Sequence, residues 1–338
     1  MRSIKLEGKS IVTVVDQPDP VPGPGEVVIE TAVSAICGSE LHTYRGDGLE
    51  KGNSGHEAVG TVVELGEGVS DLKIGQRVGA SAIAGCGNCA CCAKGQYTWC
   101  SNRAFYGSMH GERFLASATS CYPLPDDILW DAGVLITGDA LGVPFHTSTK
   151  IASLDIQTVA IFGAGPIGLG NVLMQTHLGR RVIAVDIVPD RLDAAKALGA
   201  SDVVNANECD PVERVRELCE GIGADVCIEA AGRPETALAC FDAVRTAGTV
   251  VFNGEQGALP LSPSAHFIRR DITAVGSWYY HFSEIDEIQK LYRNGLRVTD
   301  LISHCYPFEE AHTAYEKFSS GQSAKVLLSY QMDVPKQS

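Results

Sequence analysis

The sequence lacks the features that direct a protein to a membrane or to secretion. Among its 338 residues no apolar run approaches the roughly 20 residues that span a bilayer, and the opening stretch MRSIKLEGKS has no signal-peptide core. Internal repeats and low-complexity segments are also absent from the sequence. We therefore expect a cytoplasmic globular protein.

The sequence also has little positive charge. It contains 27 Lys and Arg residues against 41 Asp and Glu residues, which gives a formal net charge of −14, and the basic residues do not cluster. Proteins that bind nucleic acids neutralise phosphates with a basic face, and anionic membranes attract basic segments. The composition therefore argues against a nucleic acid or a membrane as a partner.

The pattern of apolar residues changes near residue 150, which predicts an α/β protein of two domains. Up to about residue 145, short Val/Ile runs are separated by Gly and Pro clusters such as PDPVPGPGE, as in β-rich domains. From about residue 155, apolar strands alternate with helical segments, which predicts a doubly wound parallel sheet. The chain then returns to the first domain. The predicted boundaries are 1–150 with 286–338 for one domain, and 151–285 for the other.

A glycine-rich segment, TVAIFGAGPIGLG, opens the second domain. Gly163, Gly165 and Gly168 form a G-x-G-x-x-G pattern after an apolar strand, and Pro166 and Ile167 begin the helix that follows. The first glycine allows a tight turn, the second lets the backbone approach a pyrophosphate, and the third lets helix and strand pack closely. This context predicts a dinucleotide site of the Rossmann type.

Two charged residues beyond this loop bear on the choice of dinucleotide. Asp186 ends the next predicted strand, RVIAVD, where a carboxylate can accept hydrogen bonds from a ribose 2′-hydroxyl and repels a 2′-phosphate. This position favours NAD over NADP. Arg191 lies close enough to contact the adenosine ribose, and an ordinary solvated helix position explains it equally well.

Cysteines are abundant, with twelve in the chain, and four of them are spaced C-x2-C-x2-C-x7-C. Four thiolates at this spacing can bind one tetrahedral zinc ion and leave no position open, so we interpret residues 85–101 as a structural zinc lobe. Cys91 lies inside the lobe at a poorer spacing and is left out of the set. The four predicted ligands are Cys86, Cys89, Cys92 and Cys100.

A second set of potential metal ligands is spread along the first domain. It consists of Cys37 in CGSELH, His56 in GHE and Asp139 in GDALGVPFHT. Spacing alone does not bring these residues together, and each of them alone has an ordinary structural explanation.

The order of these motifs resembles that of the zinc-containing medium-chain alcohol dehydrogenases. The resemblance rests on CGSELH, GHEAVGTVVELGEGV, the four-cysteine lobe, GAGPIG and the tail GQSAKVLLSY, and it spans essentially the whole chain. It implies a GroES-like catalytic domain beside the Rossmann domain, two zinc ions per chain, and a homodimer or homotetramer. It also implies that Cys37, His56 and Asp139 bind the catalytic zinc, with Glu57 as a fourth ligand or a carboxylate just behind the ligands.

The resemblance further implies a path for the proton that an alcohol loses. Ser39 would receive the proton, and His42 would pass it to water, because the family uses a hydroxyl residue and a histidine at these positions of CGSELH. A catalytic zinc ion with three protein ligands keeps one position for a substrate oxygen.

Several features suggest the class of substrate. The GDALGVPFHT segment and the tail resemble the polyol and threonine dehydrogenase branches, and four polar side chains are predicted near the mouth of the site. We therefore expect NAD-dependent oxidation of a secondary alcohol in a polyol, sugar or cyclitol. The aromatic residues in SWYYHF, residues 277–282, either line a pocket or lie at a subunit contact. The four polar side chains predicted near the mouth of the site are those of Tyr44, Arg45, Asp47 and Arg113.

Three other functions remain open at this point. L-threonine 3-dehydrogenase belongs to the same class of enzyme, but it must hold a carboxylate and an amine, and no such pair is evident. A zinc- and nucleotide-binding sensor without turnover would need only the cysteine lobe and the glycine loop. A zinc-free reductase would not need the second ligand set.

Overall fold

The structure is a computed structural model that describes residues 1–152 and 154–330. Residue 153 and residues 331–338, which fall inside the predicted domains, lie outside the described residues. The chain divides into two compact units. The first unit comprises Met1–Gly142, Tyr280–Leu291 and the chain from Val298 onward, and the second comprises Val143–Tyr279 and Tyr292–Arg297.

The strands follow one another along the chain as follows: β1 (Arg2–Gly8), β2 (Ile11–Asp16), β3 (Glu26–Ala35), β4 (Glu57–Leu65), β5 (Arg77–Ser81), β6 (Ile83–Ala84), β7 (Ala104–Phe105), β8 (Arg113–Ser117), β9 (Cys121–Pro123), β10 (Thr158–Phe162), β11 (Arg181–Asp186), β12 (Asp202–Asn205), β13 (Ala224–Glu229), β14 (Val244–Phe252), β15 (Thr273–Gly276), β16 (Ile302–Pro307) and β17 (Lys325–Ser329).

The α-helices are α1 (Glu40–Arg45), α2 (Trp130–Ile136), α3 (Asp139–Lys150), α4 (Pro166–His177), α5 (Pro189–Ala197), α6 (Pro211–Leu218), α7 (Pro234–Ala243), α8 (Ile285–Arg293) and α9 (Ala311–Ser319). Short 3-10 or π turns cover Cys92–Lys94, Tyr97–Trp99, Ala118–Ser120, Pro263–Phe267, Ile268–Arg270, Phe282–Glu284, Val298–Leu301 and Phe308–Glu310.

The first unit is built on a mixed sheet in the order β16-β17-β3-β4-β5-β9, with β8 also paired to β3. Strands β3 and β4 are mostly buried, and both lead directly to predicted metal ligands. Beside this sheet, an apolar cluster joins β1, α1, α9 and β17, and it contains Leu6, Ile36, Tyr44, Tyr315 and Leu328. The end of β3 is therefore held in a well-packed region, which fixes the start of the segment that carries Cys37.

The second unit contains a six-stranded sheet in which every neighbouring pair is parallel, in the order β12-β11-β10-β13-β14-β15. Numbered within the unit, this is the 3-2-1-4-5-6 order of dinucleotide-binding sheets. The central strands are apolar and buried, as β10 (TVAIF) illustrates, which is typical of a parallel sheet covered by helices. The predicted fold class, a β-rich domain with a doubly wound α/β domain, is confirmed.

Local signals fix the helix starts in the second unit. Four helices, α4 to α7, begin with proline, whose missing N–H costs nothing at the first helical position. Asp210 caps α6 by accepting hydrogen bonds from the N–H groups of Val212 (2.8 Å) and Glu213 (3.1 Å). Within the described residues no helix is both long and apolar enough to cross a membrane.

Candidate active site

The predicted catalytic ligands come together in the first unit. Donor atoms of Cys37, His56, Glu57 and Asp139 lie within 4.8 Å of one another. Asp139 Oδ2 is 3.3 Å from His56 Nε2 and 3.9 Å from Cys37 Sγ. Three chain segments that are distant in sequence thus converge: the end of β3, the start of β4 and the first residue of α3. Sequence spacing could not show this convergence.

The donor set fits a zinc ion. The N–H at His56 Nδ1 donates to the carbonyl of Ser54 (2.8 Å), so Nε2 is the ring nitrogen that faces the cluster. Asp139 Oδ1 is buried and has no hydrogen-bond partner in the described structure. Burial opposes a charge on His56, yet Cys37 and Asp139 raise its pKa well above the usual value. Such a negative pocket, made of one sulfur, one nitrogen and one carboxylate, suits a cation with an open position.

Glu57 lies behind these ligands and is tied to two groups. Its Oε2 accepts the N–H of Asp139 (3.0 Å), and its Oε1 accepts a hydrogen bond from the ammonium of Lys325. The side chains of Glu57 and Lys325 are essentially inaccessible to solvent. Burial disfavours a charge on either group and raises the pKa of Glu57, whereas the nearby Glu57 and Cys37 raise the pKa of Lys325. Glu57 thereby fixes the start of the helix that carries Asp139.

Lys325 was missed at the level of sequence. A lone lysine at the head of the strand KVLLS resembles a strand-end residue that reaches solvent. The available signal was that the residues following it are continuously apolar, which places the strand at the centre of a sheet and leaves the lysine in need of a buried partner.

Cys37 is supported by a second buried carboxylate. Glu40 Oε1 accepts the N–H of Cys37 (2.8 Å), and its Oε2 accepts from the Tyr315 hydroxyl (2.6 Å) and His110 Nε2 (3.0 Å). His110 Nδ1 is 2.8 Å from the hydroxyl of Ser34. Glu40 and His110 have no exposed surface. Sequence reasoning missed this group because its members lie up to 275 positions apart.

The predicted proton-relay residues follow Cys37 directly. Ser39 precedes α1 at its N-cap position, is exposed, and makes no side-chain capping hydrogen bond. His42 lies on α1 and is exposed. No hydrogen bond joins the two side chains in the described part of the chain, so the geometry leaves both available to solvent or to a ligand.

The four cysteines of the lobe also converge, with all sulfur atoms within 4.8 Å of one another. Cys92 Sγ is 3.5 Å from Cys89 Sγ and 4.0 Å from Cys86 Sγ. The N–H of Cys86 donates to Cys100 Sγ (3.5 Å), and this hydrogen bond is the main cause that lowers the pKa of Cys100 to about 7. The cluster does not include Cys91. Four converging thiols with no other donor suit a closed tetrahedral zinc site.

The glycine loop of the second unit has the geometry that phosphate binding requires. Gly163 has a φ of +99°, and a Cβ there would lie 2.7 Å from the nitrogen of Ala231. A Cβ on Gly168 would lie 1.8 Å from the carbonyl oxygen of Gly163, whereas one on Gly165 would face open space. Helix α4 begins at Pro166. The backbone carbonyl of Ile167 accepts a hydrogen bond from the side-chain amide of Asn171 (3.0 Å). The open side at Gly165 is where a pyrophosphate can approach.

Asp186 ends β11 beside this loop. Its Oδ2 accepts the N–H of Ala164 (2.6 Å), and its Oδ1 accepts from Ile187 (2.7 Å) and Val188 (2.9 Å). Arg191 Nη1 lies 3.8 Å from Asp186 Oδ2. Asp186 therefore orders the loop as well as presenting a carboxylate next to it, a role that the sequence did not reveal.

The prediction that Tyr44 lies at the substrate mouth is wrong. Tyr44 is 1% exposed, and its ring packs 5.4 Å from that of Tyr315 in the apolar core. Arg45 donates to the carbonyl of Ser319 (2.8 Å), and Arg113 pairs with Asp19 (2.6 Å). The short helix α1 turns Tyr44 inward, because its amphipathic pattern leaves only one face for solvent.

Comparisons with known proteins agree with this geometry. Residues 23–126 match the alcohol dehydrogenase GroES-like domain, and residues 166–294 match the zinc-binding dehydrogenase family. An L-threonine 3-dehydrogenase from Symbiobacterium thermophilum is 31% identical over an alignment of 353 positions, gaps included, covering 97% of each chain. The chain belongs to the zinc-containing medium-chain alcohol dehydrogenases. The predicted family is thus confirmed, and the protein is an oxidoreductase of the zinc-dependent type.

Solved structures support the same family over nearly the full length. Alcohol dehydrogenase TADH from Thermus sp. ATN1 superposes with a TM-score of 0.88 at 30% identity, covering 97% of this chain and 99% of that one. Galactitol-1-phosphate dehydrogenase from Escherichia coli superposes with a TM-score of 0.85 at 27% identity, with the same coverage. The names of these alcohol dehydrogenase relatives differ in substrate, so the family leaves the substrate of this chain open.

Proposed function

We propose that this alcohol dehydrogenase transfers a hydride between NAD and a secondary alcohol of a polyol, sugar or cyclitol. The observation that carries the proposal is the convergence of Cys37, His56 and Asp139 into one three-donor set. A closed four-cysteine site would serve structure alone, whereas three protein donors leave a coordination position for a substrate oxygen. A sensor without turnover would have no need for such a set.

The residues of the open set would hold zinc through Cys37 Sγ, His56 Nε2 and an Asp139 oxygen. A zinc ion bound there supplies Lewis acidity, which lowers the pKa of a substrate hydroxyl. The bond from His56 Nδ1 to Ser54 orients the imidazole, and Glu57 orients the N-terminus of α3. These contacts limit the movement of the ligands, which matters because catalytic geometry tolerates little misplacement.

Proton removal is assigned to Ser39 and His42. The hydroxyl of Ser39 is not engaged in capping α1, so it is available to accept the proton that the substrate hydroxyl loses. His42 lies on the exposed side of α1 and can deliver that proton to water. The order of the two residues along the chain fits a transfer from the site outward.

The dinucleotide is assigned as NAD. Gly165 leaves space for the pyrophosphate at the start of α4, and Asp186 ends the adjacent strand with a carboxylate. A carboxylate accepts the ribose hydroxyls and repels an additional phosphate. The guanidinium of Arg191 lies 3.8 Å from the Asp186 carboxylate, which partly neutralises its positive charge.

A second candidate, L-threonine 3-dehydrogenase, is favoured by the relative from S. thermophilum, which bears that name. The polyol class is favoured by the structural neighbour that is named for galactitol 1-phosphate. We rank the polyol class first because the two buried charges described beside Cys37 are not available to hold a carboxylate and an amine. The buried charges there, Glu40 and Lys325, are already paired.

The test is NADH formation by the purified, zinc-replete protein with a panel of polyols, cyclitols, aldoses and L-threonine. A chelator-treated sample and a Cys37→Ser variant serve as controls. Chelator-sensitive turnover of a polyhydroxy compound supports the proposal, and turnover of L-threonine alone supports the second candidate. Binding of NAD without chelator-sensitive turnover of any compound contradicts both.

A further inference from the structure

The four-cysteine lobe docks on a short segment that comes from far along the chain. The ring of Tyr97 stacks on Phe282 (5.2 Å between centroids, 17° between planes), and the edge of Trp99 meets His281 at 4.4 Å. Thr98 Oγ1 lies 2.6 Å from His281 Nδ1, and the N–H of Ser283 donates to the carbonyl of Gly95 (3.2 Å). The lobe thus contacts three consecutive residues, 281–283, which we call the docking segment.

The close packing at Gly95 shows that this docking is specific. A Cβ on Gly95 would lie 2.8 Å from the Cβ of Ser283, so the two backbones approach more closely than side chains would allow. The contacting turns of the lobe, Cys92–Lys94 and Tyr97–Trp99, have only three residues each. Turns this short hold no shape by themselves, so the lobe depends on its bound metal to present Tyr97, Thr98 and Trp99.

The residue just before the docking segment, Tyr280, contacts both sides of the metal ligand Asp139. Its hydroxyl donates to the carbonyl of Thr137, two residues before Asp139. Its ring packs on Gly142, three residues after Asp139, where an added Cβ would lie 2.2 Å from Tyr280 Cδ1. Tyr280 is 1% exposed. Its side chain therefore fixes the backbone immediately before and after the start of α3.

These contacts form one continuous path inside the first unit, from the cysteine lobe through residues 281–283 and Tyr280 to Asp139. We propose that Tyr280 is a positioning residue for the metal ligand Asp139, and that the cysteine lobe holds Tyr280 in place. The inference rests on the proposed zinc site at Cys37, His56 and Asp139. Under this inference the cysteine lobe does more than fold locally, because its metal also supports the geometry of the open site.

The same path gives a structural role to two aromatic residues of the segment 277–282. Tyr280 is buried and Phe282 is half-buried against the lobe, and together they connect the two candidate metal sites within the first unit. The pocket and the subunit contact that the sequence left open are not needed to explain these two rings. Tyr122 adds to the docking, since its hydroxyl donates to Asp286 (2.6 Å) and its ring meets Phe282 at 6.2 Å.

The experiment measures how readily each zinc ion leaves the protein. Release to a coloured chelator is followed for the wild type and for Tyr280→Phe, Phe282→Ala and Phe282→Tyr. A Cys37→Ser variant, which keeps only the cysteine-lobe site, gives the reference rate for the structural zinc. Tyr106→Phe is the matched control, because it removes a tyrosine hydroxyl that bonds Glu26 (3.0 Å) and has no part in the path.

The expected result is that Tyr280→Phe and Phe282→Ala release the open-site zinc about tenfold faster, as for other residues that support metal ligands. Phe282→Tyr keeps the stacked ring and should match the wild type, as should Tyr106→Phe. Release from the cysteine lobe should not change in Tyr280→Phe. Cobalt substituted into the open site should also show shifted absorption bands in Tyr280→Phe, because the position of Asp139 changes.

Equal release rates and equal cobalt spectra in the wild type and Tyr280→Phe would overturn the inference. A wild type that binds only one zinc ion would instead refute the proposed zinc site, so the two failures are distinguishable. If Phe282→Ala does not fold, Tyr280→Phe decides alone, since it removes a single hydroxyl and keeps the packed ring.

Discussion

Lys325 and Glu57 form an ion pair from which solvent is excluded, with side-chain exposures of 1% and 0%. The second oxygen of Glu57 accepts a hydrogen bond from the N–H of Asp139, so the pair links strand β17 to the first turn of α3. Charges buried this deeply are tolerated only in pairs with further hydrogen bonds. The pair is therefore part of the framework that holds the open metal site.

Removing one member of this pair should be costly. We expect Lys325→Met to lower the free energy of unfolding by about 3–5 kcal/mol, because the Glu57 carboxyl, whose pKa burial already raises, loses the cation that stabilises its charge. The double variant Lys325→Met/Glu57→Gln should recover much of that loss. Urea unfolding measures the free energy of unfolding of the single and the double variant. The matched control is Lys290→Met, at an exposed pair with Glu287 (2.6 Å), which should cost no more than about 1 kcal/mol. Equal costs at the two sites would show that the buried pair is not charged.

Metal content distinguishes the two sites. We expect the wild type to hold two zinc ions per chain, and Cys37→Ser or Asp139→Ala to hold one, because each variant removes a donor from the open set. Turnover should be lost while NAD binding persists, since the glycine loop is untouched. Elemental analysis and NAD titration measure these outcomes. Cys209→Ser, at an exposed cysteine away from both clusters, should keep two ions and full activity. Normal turnover in Cys37→Ser would refute the catalytic assignment.

Much of the architecture was predictable because it depends on local chemistry. The loop from Gly163 to Gly168 combines a strand, tight turn and helix start that follow from residue type and spacing alone. The cysteine spacing from Cys86 to Cys100 likewise needs only one short segment of chain. In both cases the residues that act together are neighbours in sequence, so their geometry is fixed by the backbone between them.

The groups that support the open site were not predictable in this way. Lys325 meets Glu57 across 268 positions, and Tyr280 meets Thr137 across 143. Such pairs depend on how separate segments pack, which residue type does not specify. The resemblance to a known family predicted Cys37, His56 and Asp139 as ligands, but it carried no information on the side chains that hold them.

Asp186 should determine the preference between dinucleotides. We expect Asp186→Gly to raise the ratio of kcat/KM for NADP to that for NAD, because the variant removes the charge that repels a 2′-phosphate. Asp186→Asn should relax the preference less, since it keeps hydrogen-bonding capacity. Both variants also weaken the bonds to Ala164, Ile187 and Val188. The ratio, rather than the absolute rate, is therefore the measurement. A preference for NAD that stays as strong in Asp186→Gly would remove Asp186 from the ribose site.

Glu40 should make the stability of the fold sensitive to acid. Burial alone would raise the pKa of Glu40, but the charge and hydrogen bond of His110, with smaller contributions from His56 and Tyr315, lower it to about 2 from an ordinary value of 4.5. Because the folded-state pKa lies below the ordinary value, the ionised carboxylate stabilises the fold fully above pH 4.5. This contribution, on the order of 3 kcal/mol, is lost as the pH falls from 4.5 towards 2.

The test compares Glu40→Gln with the wild type in urea unfolding at several pH values between 7 and 3. The wild type should be more stable than Glu40→Gln at pH 7, and the difference should shrink below pH 4.5. Glu217→Gln, at an exposed carboxylate paired with Arg214 (2.9 Å), is the matched control and should differ little from the wild type at any pH. A difference for Glu40→Gln that stays constant down to pH 3 would mean that Glu40 acts through shape and hydrogen bonding rather than charge. The support that it gives to Cys37 would then be independent of pH over this range.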